Sequence, residues 1–264
     1  MGPFETLSIE HIGHNLARVT MSRPGVANAF DELMIAELDA AFAQLADEVD
    51  VRVIVLAGAG KHFSAGADLK WMQRASEASR DWNLEDARRF AAMLARVAAC
   101  PKPTVARIQG VALGGGVGLA CACDLVIAAQ SASFAVSEAR FGILPAVIGP
   151  YLVNAVGRRQ AVRLALTSSR ISAAEALQLG LVHRMVPDDG LDSAVDAVVN
   201  EVLAGGPLAQ REIKQLYAQL RAGPVSEETH ELAAQTISRV RGTDEAREGF
   251  AAFLGKRPPG WAPR

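Results

Sequence analysis

Three short stretches of this chain hold residue types suited to chemistry at a carbonyl oxygen. The first is Lys61-His-Phe-Ser-Ala-Gly-Ala-Asp-Leu69, directly after the apolar run Val51–Leu56. Small residues at 65–67 let a ligand reach the main chain, and the segment turns into a helix start, where free N–H groups form an anion site. The second is Gln109-Gly-Val-Ala-Leu-Gly-Gly-Gly-Val-Gly118, again after a strand-like run. Successive glycines cost about 1 kcal/mol each against alanine in a helix, so Gly114–Gly116 signal close approach to the backbone. The third is Glu138, in Ser137-Glu-Ala-Arg140. Taken singly, each has a plainer reading: a tight strand-to-helix turn, a close helix–strand crossing, and a loop acid paired with Arg140. Taken together they suit an enolate. Two main-chain N–H donors can hold one developing oxyanion, and removing a comparable donor costs roughly 3–4 kcal/mol of transition-state stabilisation. An acid nearby can move a proton, a contribution of about 10²–10⁴-fold. That combination fits a thioester whose oxygen turns negative as a proton leaves or joins carbon.

Other chemistries find less support. The dinucleotide fingerprint fails, because its third glycine falls on Cys121, and no GK[ST] loop exists for phosphoryl transfer. Ser64 lies between His62 and Gly66 with Asp68 nearby, but a nucleophile elbow needs glycine where His62 stands. Cys100, Cys121 and Cys123 form an odd, sparse set without paired spacing, which reads as reduced core thiols. His183 reads as a loop or strand residue, Trp71 and Met72 as cover for a pocket or a contact, Lys70 and Arg74 as partners for a distal substrate carboxylate or equally as a solvated helix face, and Arg158-Arg159 as a helix start. With 27 basic and 29 acidic residues, net charge −2 and 5% aromatics, there is no basic groove or stacking platform for nucleic acid. The uncharged run Ile108–Cys123 is shorter than the ~20 residues of a spanning helix. Met1–Glu10 lacks a basic segment followed by an apolar one. The expectation is a cytoplasmic protein with no membrane partner.

The elements that position these stretches follow from pattern. Thr6–Glu10 and Leu16–Met21 alternate and read as a hairpin. Asp31 caps a helix to about Asp47, with Leu38, Phe42 and Leu45 at helical spacing. A polar stretch, Gln73–Asp81, precedes a helix over Leu84–Ala99 that Pro101 and Pro103 stop. Thr104–Ile108, Leu125–Ala129 and Ser133–Val136 read as strands. Ser172-Ala-Ala-Glu175 is a capping box closed by Gly180. Leu191–Leu203, Leu208–Arg221, Glu227–Val240 and Asp244–Leu254 are helical. Strands alternate with helices to about residue 190 and helices alone follow, so an α/β core carries a helical appendage. We divide the chain at 1–195 and 196–264.

The sequence resembles the crotonase (enoyl-CoA hydratase/isomerase) superfamily over essentially its whole length. The resemblance rests on Ser22-Arg-Pro24 with Asn28-Ala-Phe30, HFSAGADL at 62–69, QGVALGGG at 109–116, Asp124, the Glu138–Pro145 segment, Gly180-Leu-Val182 and Glu248–Lys256. It implies a ClpP/crotonase-like spiral of ββα units with a C-terminal helical region that builds a homotrimer or a dimer of trimers. It implies oxyanion amides at Ala67 and Gly115, with Gly114 and Asp68 beside them as substrate-binding residues. It implies a coenzyme A site with Ala65 near adenine, Ala27 and Leu69 near the pantetheine arm, and Phe253 and Lys256 reaching the nucleotide end. Lysine suits a 3′-phosphate as a point charge. An acyl-CoA substrate is implied, with no cofactor beyond the coenzyme A it carries.

One departure matters. Two-glutamate hydratases of this superfamily carry an acid four residues into the helix that begins at the triple glycine, where this chain has Gly118, and a second acid at the Glu138 position. A lone glutamate there is also similar to several double-bond isomerases, which makes isomerisation the alternative. KHFSAGADLKWM, Asn83-Leu-Glu-Asp-Ala87, Gly115–Leu119 and residues 137–151 resemble bacterial methylglutaconyl-CoA hydratases, which implies hydration of a branched, carboxylated acyl group.

Overall fold

The computed structural model describes residues 4–220 and 222–262. β1 (Leu7–Ile12) and β2 (Leu16–Met21) form the expected antiparallel hairpin. Asp31 then caps α1 (Glu32–Asp47), its Oδ1 accepting from Met34 N at 2.9 Å, and Ile35, Leu38, Phe42 and Leu45 form the buried stripe. β3 (Val53–Gly58) is buried along its length. Its alternate residues enter two cores, Ile54 and Leu56 on one face, Val53 and Val55 on the other.

The polar stretch 73–81 is largely helical, unlike the expectation from sequence. α2 (Leu69–Glu77) and α3 (Arg80–Ala98) meet across Ala78 and Ser79. Their caps explain this: Asp68 Oδ1 accepts from Lys70 N at 2.8 Å, and Ser79 Oγ accepts from Trp82 N at 3.1 Å. The polar residues lie on exposed faces, so apolar periodicity there is weak.

β4 (Thr104–Ile108), β5 (Val111–Leu113), α4 (Gly115–Ala122), β6 (Leu125–Ala129) and β7 (Ser133–Ala135) follow. Next come α5 (Gly149–Thr167), β8 (Ile171–Ser172), α6 (Ala173–Leu179) and β9 (Arg184–Val186). α5 is kinked at Gly157, so Arg158-Arg159 open its second half. Ser172 Oγ accepts from Glu175 N at 3.2 Å, one half of the capping box, while Glu175 turns to Arg163 at 2.8 Å. α7 (Leu191–Leu203), α8 (Pro207–Tyr217), α9 (Glu227–Arg241) and α10 (Asp244–Leu254) complete the chain. α8 ends before the expected Arg221, which lies outside the described residues.

Six strands form one sheet in the order β1-β2-β3-β4-β6-β9, parallel from β2 onward. A second sheet runs β5-β7-β8. α1, α3, α4 and α5 contribute to the larger core, whereas α7 covers the opposite sheet face with Leu191, Val195, Val198 and Val199. Residue 196 therefore lies inside a helix packed on the sheet. The helical end is fastened to β3 by Arg52, whose guanidinium donates to Leu203 O, Gly205 O and Trp261 O at 3.1, 2.6 and 2.6 Å.

Candidate active site

The two glycine-rich turns and the Glu138 segment are stitched together by strand-like pairings. Phe30 pairs with Ala67, Ser64 with Ala112, and Ala112 with Phe134. Phe30 N donates to Gly66 O at 2.7 Å, and Asp68 N donates to Phe30 O at 2.8 Å, which fixes the peptide between them. Leu113 N donates to Ser64 O at 2.9 Å and Gly114 N to Ala135 O at 2.8 Å. A Cβ built on Gly66 would lie 3.6 Å from Gly115 N, so the turns touch. Among the described residues, neither Ala67 N–H nor Gly115 N–H donates to a protein acceptor. The first is exposed and the second opens α4, where the first turn of a helix leaves its donors free.

Arg23 braces the first turn. Its guanidinium donates to Ala29 O at 2.6 Å and pairs at 3.0 Å with both Asp31 and Asp68, the caps of α1 and α2. Buried Asn28, at φ 53°, donates through Nδ2 to Ala59 O and His62 O.

Glu138 opens a short helical turn, Glu138–Phe141, directly after β7. Its Oε1 lies 3.1 Å from the Cβ position of Gly114, so the carboxyl rests against the second turn. Its Oε2 is buried without a hydrogen-bond partner, and no ion pair joins it to Arg140 among the described residues. Burial pushes the Glu138 carboxyl above the ordinary glutamate range, partly offset by the main-chain N–H groups of Glu138 and Ser137. A half-buried carboxyl with one oxygen unpartnered, resting against the turn that carries the Gly115 amide, can accept a proton from carbon or from water and return it.

The space for a second acid is filled. A Cβ on Gly118 would lie 2.2 Å from Ile148 Cγ2 and 2.6 Å from Ile148 Cβ, and Ile148 is 2% exposed. Gly118→Ala is therefore expected to destabilise the fold by about 1–3 kcal/mol. The measurement is urea unfolding: the midpoint falls while the slope is unchanged, and an unshifted midpoint shows that Ile148 can yield.

The serine-hydrolase arrangement is not assembled. Ser64 Oγ is buried, donates to Asn28 O at 2.8 Å and accepts from Gly66 N at 3.2 Å. His62 Nδ1 accepts from Val111 N at 3.3 Å, and Asp68 is committed to the α2 cap and Arg23. His183 Nδ1 accepts from Val126 N at 3.0 Å, a structural role. Arg74 pairs with Glu32 on α1. Desolvation raises all three thiols, Cys121 up to about 12, so they are unreactive at neutral pH.

The residues expected to meet coenzyme A are spread between two regions. Ala65 N donates to Ala27 O at 2.9 Å, Asp68 caps α2, and Leu69, 80% exposed, opens that helix. Phe253 and Lys256 lie at the exposed end of α10, with Lys256 at φ 50°. Sequence reasoning placed Arg23, Phe30 and Ile148 within motifs but assigned them no role, and it missed the aromatic wall behind Gly115, whose Cβ position lies 2.9 Å from Phe30 and 3.0 Å from Phe90.

The enoyl-CoA hydratase/isomerase family model matches residues 11–264. The chain belongs to the enoyl-CoA hydratase/isomerase family. It is 38% identical to a putative enoyl-CoA hydratase of Thermus thermophilus, across 94% of this chain and 97% of that one. The fold is similar to the crystal structure of an enoyl-CoA hydratase from Shewanella pealeana, with TM-score 0.94 and 36% identity over 98% of this chain and 96% of that one. It is also similar to Pseudomonas aeruginosa AtuE, with TM-score 0.93 and 39% identity over 98% of this chain and all of that one (100%). The crotonase fold and the enzyme family expected from the motifs are therefore correct. Among the described residues no helix is long and apolar enough to cross a membrane.

Proposed function

We propose that this protein adds water across the 2,3-bond of an enoyl-CoA thioester, or removes it. The carrying observation is the buried, unpartnered Glu138 Oε2 on the turn of Gly114 and Gly115, where the Gly115 N–H, like that of Ala67 on the touching turn, has no protein acceptor among the described residues. In this reading the amides of Ala67 and Gly115 hold the thioester oxygen. Glu138 takes a proton from water as the water oxygen bonds to C3. The π electrons move toward C2 and the carbonyl oxygen becomes the enolate. Glu138 then returns the proton to C2, so water is added and the carboxylate regenerated.

A branched acyl group with a distal carboxylate, such as 3-methylglutaconyl, is our finer reading, supported by the motifs at 83–87, 115–119 and 137–151. That carboxylate would orient the water in place of the absent second acid. Coenzyme A is part of the substrate, gripped by Ala27, Ala65 and Leu69. Phe253 and Lys256 would reach the nucleotide end in a neighbouring subunit of a trimer or a dimer of trimers. The filled space at Gly118 favours a second reading, isomerisation from 3-enoyl to 2-enoyl, because a proton shift from C2 to C4 needs one acid/base alone.

One assay separates them. Loss of conjugated enoyl absorbance is expected with crotonyl-CoA and 3-methylglutaconyl-CoA. Conjugation gained from a 3-enoyl-CoA, with none lost from the others, selects isomerisation. No change with any of the three overturns both readings.

A further inference from the structure

Asp86 lies on α3 with a side chain only 8% exposed, far more buried than a loosely placed acid should be. Its Oδ2 accepts from Trp71 Nε1 at 3.0 Å, and Arg89 reaches its Oδ1 at 3.5 Å. Burial raises its carboxyl above the ordinary aspartate range, against the Trp71 and Arg89 contacts. Such a group is retained at a cost, and the site shows what it holds. Trp71 is the single buried residue of α2, so that helix is anchored through one indole. The same indole meets Phe90 edge-on, with centroids 6.2 Å apart, and Phe90 lies 5.9 Å from Phe30. Those two phenyl rings close against the Cβ position of Gly115. Trp71 N also donates to Asp68 Oδ1 at 3.4 Å, directly after Ala67. One buried hydrogen bond thus joins the wall behind Gly115 to the helix that begins beside Ala67.

We propose that Asp86 is a positioning residue for the reaction: by holding the Trp71 indole it fixes α2 and the Phe90–Phe30 wall, and so sets the distance between the Ala67 and Gly115 amides. This rests on the oxyanion reading above. Asp86 itself exchanges no proton with the substrate.

The test reads the amide pair without turnover. Binding of hexanoyl-CoA is compared with that of hexyl-CoA, the thioether that lacks the carbonyl oxygen, by titration calorimetry. Wild type is expected to prefer the thioester by about tenfold, as two hydrogen bonds to one oxygen imply. Asp86→Leu and Trp71→Phe lose that preference, while thioether affinity stays within about threefold. Asp86→Asn keeps the acceptor and retains the preference. Should Asp86→Leu fail to fold, Trp71→Phe decides. A preference that survives Trp71→Phe, or that Asp86→Asn abolishes, overturns the role of the hydrogen bond alone. No preference in wild type overturns the oxyanion reading and this inference together.

Discussion

Glu138→Gln lowers kcat by about 10²–10⁴-fold, the range that a positioned acid/base supplies. Glutamine keeps the shape and cannot accept the proton. Burial holds this carboxyl above its usual value of 4.5, so the acidic limb of kcat/KM falls at a higher pH than an exposed glutamate would give. The limb runs downward with acid because the ionised form takes the first proton. Stability moves the other way. With the folded pKa raised, the contribution of this group to stability is complete below the unfolded pKa and is lost as pH rises through the folded pKa. Glu138→Gln should therefore match wild type in Tm near pH ~4 and exceed it at neutral pH, where wild type buries a charge. More than a tenth of wild-type turnover remaining in the variant removes Glu138 from the chemistry.

Gly114→Ala is expected to cost about 10²–10³-fold in kcat, as loss of one oxyanion donor does. Gly114 sits at φ 47°, ψ −115°, a conformation that a Cβ makes strained by about 1–3 kcal/mol. The new methyl would also meet Glu138 Oε1 at 3.1 Å. Relief by rotating the peptide turns Gly115 N–H away from the oxygen, and relief by moving Glu138 displaces the acid. Both routes reach the reacting atoms. Steady-state kinetics on the preferred thioester check this, and a kcat within threefold of wild type would show that the turn absorbs the methyl.

Much of this site can be read from residue order. The glycine run, the small residues at 65–67 and the acid after β7 each announce themselves locally. Asp31 and Ser172 mark helix starts by side-chain capping and Gly180 marks a helix end by its positive φ, all without a tertiary partner. What stayed hidden depends on residues distant in sequence. Gly118 reads as a missing acid, but only the fold brings Ile148 into its space. Unpaired Glu138 Oε2 cannot be told in sequence from a loop acid bonded to Arg140. α2 escaped because eight of its nine residues are not buried, leaving little apolar period to see. Asp86 did leave a trace: it falls in helical register with Phe90, Met93, Leu94 and Val97, an acid on an apolar stripe.

The Arg52 clamp bears on how the molecule is made. Arg52 follows the first hairpin, yet one of its acceptors is Trp261 O, 209 residues further along the chain. A nascent polypeptide can complete β1–β4 from neighbouring segments, but this guanidinium cannot reach the last of its main-chain acceptors until almost the whole chain has left the ribosome. Closure of the helical end over Arg52 is therefore expected to come late in folding.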